Sequence, residues 1–341
     1  MPFLRFFSAY VFFALAAVAV AERGAWLWLP VGVVFVGVPL FDMLLGKARR
    51  DVEAGSQRGF DLAVELWLPC EVALLGFALV EVTQRPPAGA LEWIGILLAV
   101  GIATGGGGIT VAHELMHRRG KLHRALGEAL MTLVLYPHFC VEHVLGHHRI
   151  VGTRADAATA RRGESVFRFV PRSVAMGMRS AWRLESRRIA RLREQQKRTL
   201  FVDRRLRYGA TQLALLCAVG FAFGPLGLAL FVGQAAIAVL LLEIIDYIEH
   251  YALERRVVDG RPERVRLAHS WNSNHALSSA LLFNLTRHSD HHAEASRPYG
   301  ILRARPEAPE LPAGYPSMML LSLVPPMWFR VMDARAEAAL D

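Results

Sequence analysis

Cysteine is scarce in this chain, whose 341 residues include only Cys70, Cys140 and Cys217. The three are far apart, and none belongs to a C-x-x-C pair of the kind that builds disulfide scaffolds, iron–sulfur clusters and zinc or iron knuckles. The sequence therefore excludes these cysteine sites. If the protein needs electrons, a partner must deliver them.

Charged residues are also few, at 20%, whereas 53% of the residues are hydrophobic, which excludes an average soluble domain. Neither an internal repeat nor a low-complexity tract is present. We predict one all-α integral-membrane domain over 1–341, with six transmembrane helices in three hairpins. The predicted spans are 4–20, 25–45, 63–82, 91–112, 208–223 and 225–247.

The first of these spans is short and follows Arg5, so a signal peptide is the alternative. No clear small-residue cleavage pattern follows it, and the next span begins almost at once. We therefore expect a retained helix.

Basic residues are nearly missing from three of the connections, near 21–24, 83–90 and 224, which contain only Arg23 and Arg85. The other connections are rich in them: Lys47, Arg49, Arg50 and Arg58; Arg118, Arg119, Lys121 and Arg124; Arg255, Arg256 and Arg261. By the positive-inside rule, the termini and the basic connections face the cytoplasm. This topology indicates a bacterial inner (plasma) membrane protein.

A basic segment covers about 144–207, with seventeen Lys and Arg against five Asp and Glu. Helical spacing of apolar residues from Pro171 to Arg207 predicts an amphipathic helix on an anionic leaflet, or a docking surface for an acidic electron-transfer protein. Aromatic residues are not interleaved with the basic ones, so nucleic acid is not an expected partner. Residues 125–139 are too short to cross and predict a re-entrant or interfacial helix. The tail after Ile301 is expected to be loop, with a short apolar piece packed on the membrane face.

Histidine is present in an unusual arrangement, because nine of the thirteen histidines lie in four clusters beside apolar spans. By the predicted topology all four clusters face the cytoplasm. Imidazole binds iron, copper and zinc, and one metal rarely takes more than a handful of ligands, so nine indicate more than one metal. The clustered residues are His113, His117, His143, His147, His148, His250, His288, His291 and His292.

The spacing within the clusters supports metal binding. His113 and His117 are four apart, as are His143 and His147, so each pair is expected on one helical face. His288 and His291 are three apart. The adjacent residues His148 and His292 point away from His147 and His291, so each adjacent pair can reach two metals or a bridge between two metals. The four remaining histidines lack a partner at ligand spacing and are expected to be structural: His123, His138, His269 and His275.

Carboxylates accompany every cluster and are expected to accept the free ring N–H of the histidines, although a direct ligand among them remains open. They are Glu114, Glu142, Glu249 and Asp290. Glu243 and Asp246, near the end of the sixth predicted span, are expected near the site or its substrate channel, since ionisable residues inside a membrane are usually functional. The four glycines at 105–108 favour close helix packing, with a wall of the substrate cavity as the alternative.

The motifs HELMH at 113–117, EHVLGHH at 142–148, DYIEHYAL at 246–253 and LTRHSDHH at 285–292 together resemble the membrane-bound alkane 1-monooxygenases. These non-haem diiron enzymes are related to xylene monooxygenase and the membrane fatty acid desaturases. The segments HSWNSN at 269–274 and GESVFRF at 163–169 also resemble the family, and the resemblance covers about 91–303. Arg154, Ala252, Thr286 and Gly300 depart from the family's usual residues, which leaves the substrate open.

The resemblance implies that the nine clustered histidines bind two iron ions and that O₂ is the co-substrate. It also implies electrons from rubredoxin and an NAD(P)H-dependent rubredoxin reductase. The expected reaction is hydroxylation of a terminal C–H of a medium- or long-chain alkane drawn from the bilayer. Hydroxylation of methyl-aromatic compounds and desaturation or hydroxylation of a fatty-acyl chain are alternatives. An intramembrane zinc protease would explain HELMH, but it would leave seven clustered histidines unused.

Overall fold

The computed structural model describes residues 1–51 and 57–340, so the predicted domain over 1–341 includes six residues outside the described part. Five helices are long and apolar enough to cross a membrane, and they contain all six predicted spans. They are α1 (Pro2–Glu22), α2 (Gly24–Leu45), α3 (Gln57–Gln84), α4 (Ala90–Met116) and α8 (Arg204–His250). Pro86 and Pro87 follow α3 and prevent it from continuing into α4.

Helix α8 is two antiparallel arms, 204–223 and 225–250, rather than one rod. Gly224 has φ 63°, a conformation that glycine adopts easily, and Pro225 starts the second arm. The Nε2 of Gln212 donates to the carbonyl of Leu135 (2.8 Å), and that of Gln234 donates to the carbonyl of Leu133 (3.0 Å). In a straight helix the two glutamines would be about 33 Å apart. The chain therefore reverses at Gly224.

Between α4 and α8 lie three further helical segments: α5 (Lys121–Leu133), α6 (residues 139–150) and α7 (Val166–Glu194). α5 and α6 form a hairpin, with Leu135 in the turn at φ 55°. The hairpin returns the chain to its start, since the ring centroids of His117 and His143 are 5.1 Å apart. Residues 125–139, for which the sequence predicts a re-entrant or interfacial helix, lie within this hairpin.

The amphipathic helix differs from its predicted bounds. Instead of covering Pro171 to Arg207, α7 begins at Val166 and ends at Glu194, and Pro171 lies within it. The chain leaves α7 at Gln196 with φ 55°, and Asp203 then caps α8 by accepting from the backbone N–H of Arg205. The segment that the sequence predicts as one basic helix therefore contains most of α7 and the start of α8, with a turn between them.

The α1–α2 turn and the α3–α4 turn meet at the buried side chain of Arg23. The Arg23 guanidinium contacts Glu92 at 2.8 Å and donates to the carbonyls of Glu81 and Arg85 at 3.2 and 3.0 Å. It therefore joins the α1–α2 turn to the α3–α4 turn.

The C-terminal part contains a short hairpin of two antiparallel strands with two residues each, β1 (Val257–Val258) and β2 (Arg261–Pro262). It continues with a 3₁₀ turn (Leu267–His269), α9 (Ala276–Leu281), α10 (His288–Ala293), a second 3₁₀ turn (Tyr299–Ile301), α11 (Tyr315–Ser322) and α12 (Pro325–Leu340).

The prediction of loop after Ile301 holds for residues 302–314, which form no helix, but it is wrong for most of the rest of the tail, which forms α11 and α12. Pro316 and Pro325 stand in the first turn of α11 and at the start of α12, where proline costs no helical hydrogen bond. Trp328 of α12 packs against Tyr247 and Tyr251 at the end of α8, with ring centroids 5.1 and 5.3 Å apart.

Candidate metal centre

Four segments bring the nine clustered histidines to one place in the fold. The last turn of α4 carries His113 and His117, and the end of α8 carries His250. The other six come from α6 and α10: His143, His147 and His148, and His288, His291 and His292. Because α5 and α6 form a hairpin and α8 reverses at Gly224, these segments meet although they are distant in sequence.

The nine rings separate into two groups, and within each group one nitrogen of every ring lies within 4.8 Å of the others. The five-histidine group is His113, His117, His143, His148 and His291. The four-histidine group is His147, His250, His288 and His292. Adjacent residues therefore divide between the groups, with His147 and His148 on opposite sides and His291 and His292 likewise. This is the division that the sequence suggested for adjacent histidines.

The partners within α6 differ from those expected at a spacing of four. Residues 143–147 form a π-helical turn, in which residues five apart share a face. The Nε2 of His143 accordingly lies 3.0 Å from that of His148, whereas the Nε2 of His147 lies 3.2 Å from that of His292 in the other group. The extra residue in the turn thus directs His143 and His147 apart.

The histidines of α10 also pair differently from expectation. The Nε2 of His288 lies 3.0 Å from that of His292, four residues on, while the Nε2 of His291 lies 3.2 Å from that of His148. In an α-helix residues four apart are neighbours on one face, so a spacing of four prevails here over the spacing of three.

The donor set fits metal ions. The Nε2 atoms of His113 and His143 are 2.6 Å apart, and the buried Nε2 of His117 has no hydrogen-bond partner in the described residues. Burial lowers the pKa of His117 to about 3 and holds the pKa of His291 and His292 well below the usual range, so these rings are neutral. Neutral imidazole is the form that binds iron, copper or zinc.

The predicted carboxylates do not all meet a ring. Glu249 does, because its Oε1 lies 3.3 Å from Nδ1 of His288 and also accepts from the hydroxyl of Tyr315 at 2.6 Å. Glu114 accepts instead from Nε of Arg118 at 2.6 Å.

Asp290 and Glu142 contact no ring nitrogen in the described residues. Asp290 accepts from Nε of Arg305 at 2.6 Å and from the backbone N–H of Arg303 at 2.9 Å. The buried Oε1 of Glu142 has no partner in the described part of the chain. Proximity in sequence to a histidine therefore does not imply a contact with its ring.

Asp156 is a residue that the sequence reasoning missed. Its two carboxylate oxygens lie 3.1 and 3.0 Å from Nδ1 of His147, and Thr159 donates to it at 2.7 Å. Burial alone would lower the pKa of His147, but the charge and hydrogen bond of Asp156 raise it overall. This contact fixes which ring nitrogen of His147 faces the group. Asp156 lies in the loop after α6, outside every cluster, so spacing gives no signal for it.

The other four histidines lie outside both groups. His123 contacts Glu65 at 2.9 Å, His275 contacts the hydroxyl of Ser273 at 3.0 Å, and Nδ1 of His269 accepts from the backbone of Arg266. His138 is largely buried beside Tyr136, with ring centroids 4.2 Å apart.

Comparison with known proteins agrees with the site. The fatty acid desaturase family model matches residues 90–321, which include all nine clustered histidines. Alkane 1-monooxygenase 1 of Pseudomonas aeruginosa is 41% identical over 93% of this chain and 85% of its own length. The chain belongs to the alkane 1-monooxygenase family.

Other relatives of this family member extend the comparison. Alkane 1-monooxygenase 2 of Alcanivorax borkumensis is 38% identical over 97% of this chain and 87% of its own length. The xylene/toluene monooxygenase hydroxylase component of Pseudomonas putida is 29% identical over 97% of this chain and 88% of its own length.

One cavity of this alkane 1-monooxygenase family member adjoins the histidines, and a second lies next to the first. The inner cavity, of about 50 Å³, contacts both groups through His113, His143 and His288. The apolar cavity, of about 40 Å³, lies toward α1 and α2. Both are lined by Ile245, Leu282 and Tyr315, so these three side chains form the wall between them. Asp246 lines the inner cavity, whereas Glu243 lines neither.

Proposed function

We propose that this protein uses O₂ and electrons from rubredoxin to hydroxylate the terminal C–H of a medium- or long-chain alkane to a primary alcohol. The observation that carries the proposal is the inner cavity between the two histidine groups, with the apolar cavity directly behind it. This arrangement suits a long, unfunctionalised chain whose end must reach the metals.

The proposed centre holds two iron ions, one in each histidine group, with all nine clustered histidines as ligands. When bound, the reduced iron pair would supply the O₂ activation that an unactivated C–H bond requires. A zinc protease would need only one of the groups, so the presence of two favours the diiron centre.

The protein's own residues position the substrate and keep water out. Ile109, Leu242, Ile245, Leu282 and Leu285 give the inner cavity mainly apolar walls. They offer a hydrocarbon no hydrogen bond, so its position depends on shape and on burial from water. The methyl end would lie beside the rings and the rest of the chain would pass Ile245 and Leu282 into the apolar cavity.

The same cavities keep a second substrate class open. The similarity to a xylene/toluene monooxygenase component covers most of the chain, and a methyl-aromatic compound also presents a methyl group on an apolar body. The match to the fatty acid desaturase family model likewise keeps an acyl chain as an alternative substrate.

We place the protein in a bacterial inner membrane with six crossings, the sixth arising because each arm of α8 crosses once. The arms of 20 and 26 residues are about as long as the hydrocarbon core is thick. Under the positive-inside rule, the basic connections put both histidine groups on the cytoplasmic side. Membrane lipids would surround the exposed apolar faces.

A basic cleft of about 230 Å³ gives the electron donor a place to dock. His117 of the five-histidine group lines it together with Arg118, Arg119, Arg124 and Arg204. Opposite charge speeds and orients the association of proteins, so an acidic rubredoxin, reduced by its NAD(P)H-dependent reductase, would be drawn to this cleft. His117 would be the ligand nearest to the arriving electron.

The test is iron content of the purified protein together with rubredoxin-coupled, O₂-dependent turnover of octane to 1-octanol. Two irons per chain and 1-octanol are expected. Two irons without alkane turnover would redirect the proposal to methyl-aromatic or acyl substrates. One zinc per chain would overturn the diiron centre.

A variant of the apolar cavity sharpens this test. Gly106 lines that cavity, and a side chain added there meets open space, so Gly106→Leu should fill it and favour shorter alkanes. Each buried methylene contributes about 0.8 kcal/mol, or roughly fourfold, so competition assays between alkanes of different length should show a graded shift. Gly76→Leu is the matched control, since Gly76 also faces open space but lines neither cavity. An unchanged length preference in Gly106→Leu would argue against this substrate path.

A further inference from the structure

Three buried carboxyls beside the metal centre form no ion pair within the described residues: Glu142, Glu243 and Asp246, which are 4%, 2% and 5% exposed. The hydroxyl of Tyr136 donates to Oε1 of Glu243 at 2.8 Å. The buried Oε2 of Glu243 has no hydrogen-bond partner in the described part of the chain. Carboxyls placed out of water without a cation are costly and favour holding protons.

These carboxyls surround the polar cavity, a space of about 10 Å³ that Tyr136, His138 and Ser173 also line. A cavity of this size and polarity suits about one water molecule. It contacts neither α1 nor α2 and is separate from the apolar cavity, so it offers no room for a hydrocarbon.

The polar cavity has an ionisable residue in the wall on each side. Asp246 lines both the polar cavity and the inner cavity, where His113, His143 and His288 lie. On the other side, His138 lines both the polar cavity and an interfacial cleft of about 120 Å³ between α7 and α8.

The interfacial cleft is in contact with the surface of the protein. Its wall includes Trp182, which is 56% exposed, and Arg204 at the start of α8. The buried Nε2 of His138 has no hydrogen-bond partner within the described residues. Ionisable groups thus stand at every step from this surface to the histidine groups.

The proposed reaction needs such a path. Hydroxylation of an alkane R–H by O₂ consumes two electrons and two protons and gives R–OH and one water. The electrons come from the donor, and the protons must cross walls that otherwise keep water out of the inner cavity.

We propose that His138, Glu243 and Asp246 form a proton relay from the interfacial cleft to the inner cavity. A proton would pass from solvent to His138, across the polar cavity to Glu243, and then to Asp246, each group releasing one proton as it takes up the next. Asp246 would release it beside the metal centre. The role of the relay in supplying protons to the reaction rests on the proposed function, whereas proton transfer along these groups does not.

The first test therefore needs no activity: infrared spectroscopy of the protein as purified, moved into D₂O. The C=O band of a protonated carboxyl shifts when its proton exchanges. We expect bands that disappear in Glu243→Gln and Asp246→Asn to exchange fast in the wild type and at least about tenfold more slowly in His138→Phe, since proton transfer through a positioned group commonly accelerates a step by 10² or more. Absence of such bands, or exchange that His138→Phe leaves unchanged, would overturn the relay.

Glu71→Gln is the matched control. Glu71 is 0% exposed, accepts from Nε1 of Trp67 at 3.1 Å, and lines none of the five cavities and clefts described above. Its own carboxyl band should exchange slowly whether or not His138 is replaced. Equally fast exchange of the Glu71 band would show general water penetration instead of a relay.

The second test uses turnover by the iron-loaded variants. Glu243→Gln and Asp246→Asn should retain the wild-type iron content, form product about 100-fold more slowly and release more of the consumed O₂ as peroxide. Glu71→Gln should match the wild type. If the wild type itself turns over no alkane, the proposed substrate fails while the infrared result still decides the relay. Normal coupling in both relay variants would contradict it.

Discussion

In the four-histidine group two rings rest against carboxylates, His147 against Asp156 and His288 against Glu249. In the five-histidine group no ring nitrogen contacts a carboxylate within the described residues. The four-histidine group is fully buried, whereas His117 of the five-histidine group lines the basic cleft. Two sites with the same ligand atoms are therefore supported in different ways.

The proposed metal ligation would account for the difference. If all four rings of the smaller group bind one metal, each ring matters, and a carboxylate that fixes ring orientation also makes the ring a stronger donor. With five ligands, the larger group has one more donor and less need for such support. It also has the accessible edge through which an electron would arrive.

The largest expected effect comes from removing one ring from each group. His250→Ala leaves three imidazoles in its group, one fewer than the four protein ligands of a closed metal site, and should reduce the iron content from two to about one per chain. His148→Ala leaves four and should retain close to two. Iron analysis of the purified variants checks this, with His123→Ala as the control outside both groups. Equal losses of iron in the two variants would contradict the proposed difference between the two histidine groups.

A smaller effect is expected from Asp156→Asn, which takes the negative charge from Nδ1 of His147. Loss of such a partner typically weakens metal affinity 10- to 100-fold, so cobalt titration followed optically should show one weakened site and one unchanged site. Asp290→Asn is the comparison, because Asp290 binds Arg305 rather than a ring. It should lower thermal stability without changing metal affinity. If it weakened one site as much as Asp156→Asn, the ring contact would not be the cause.

The smallest effect is expected from Tyr315→Phe, which removes the hydroxyl that donates to Glu249 at 2.6 Å. One buried hydrogen bond is worth about 1 kcal/mol, so metal affinity of the four-histidine group should fall a few-fold, with a small loss of thermal stability. Tyr299→Phe removes a comparable buried hydroxyl, bound to the carbonyl of Phe60 at 2.8 Å. That control should lose stability but not metal affinity. The same loss of metal affinity in both variants would mean that Tyr315→Phe acts by destabilising the fold and not through Glu249.

The sequence predicts the helical spans and the clustered histidines well, because apolar length and residue identity are local properties. It predicts less well which rings act together. His143 and His147 are four apart, yet a single π-helical turn sends them to different groups. That turn depends on how α6 packs, which spacing alone does not encode.

Contacts made by loops are even harder to predict from the sequence than the grouping of the rings. Asp156 meets His147 because the chain after α6 turns back at Gly152, which has φ 74°. In contrast Asp290, between two clustered histidines, was the more obvious candidate and instead binds arginines. The loop prediction for the tail failed only from residue 315 onward, because Pro316, a residue type typical of loops, lies in the first turn of α11.

Arg23, at the end of the bundle away from the metals, has a consequence for how the protein is made. Its partners Glu81, Arg85 and Glu92 are all synthesised later, in the second hairpin. The first hairpin therefore emerges from the ribosome with an arginine that has its bond to the carbonyl of Val20 but lacks its other partners. The full set of Arg23 hydrogen bonds can form only after residue 92 has been synthesised.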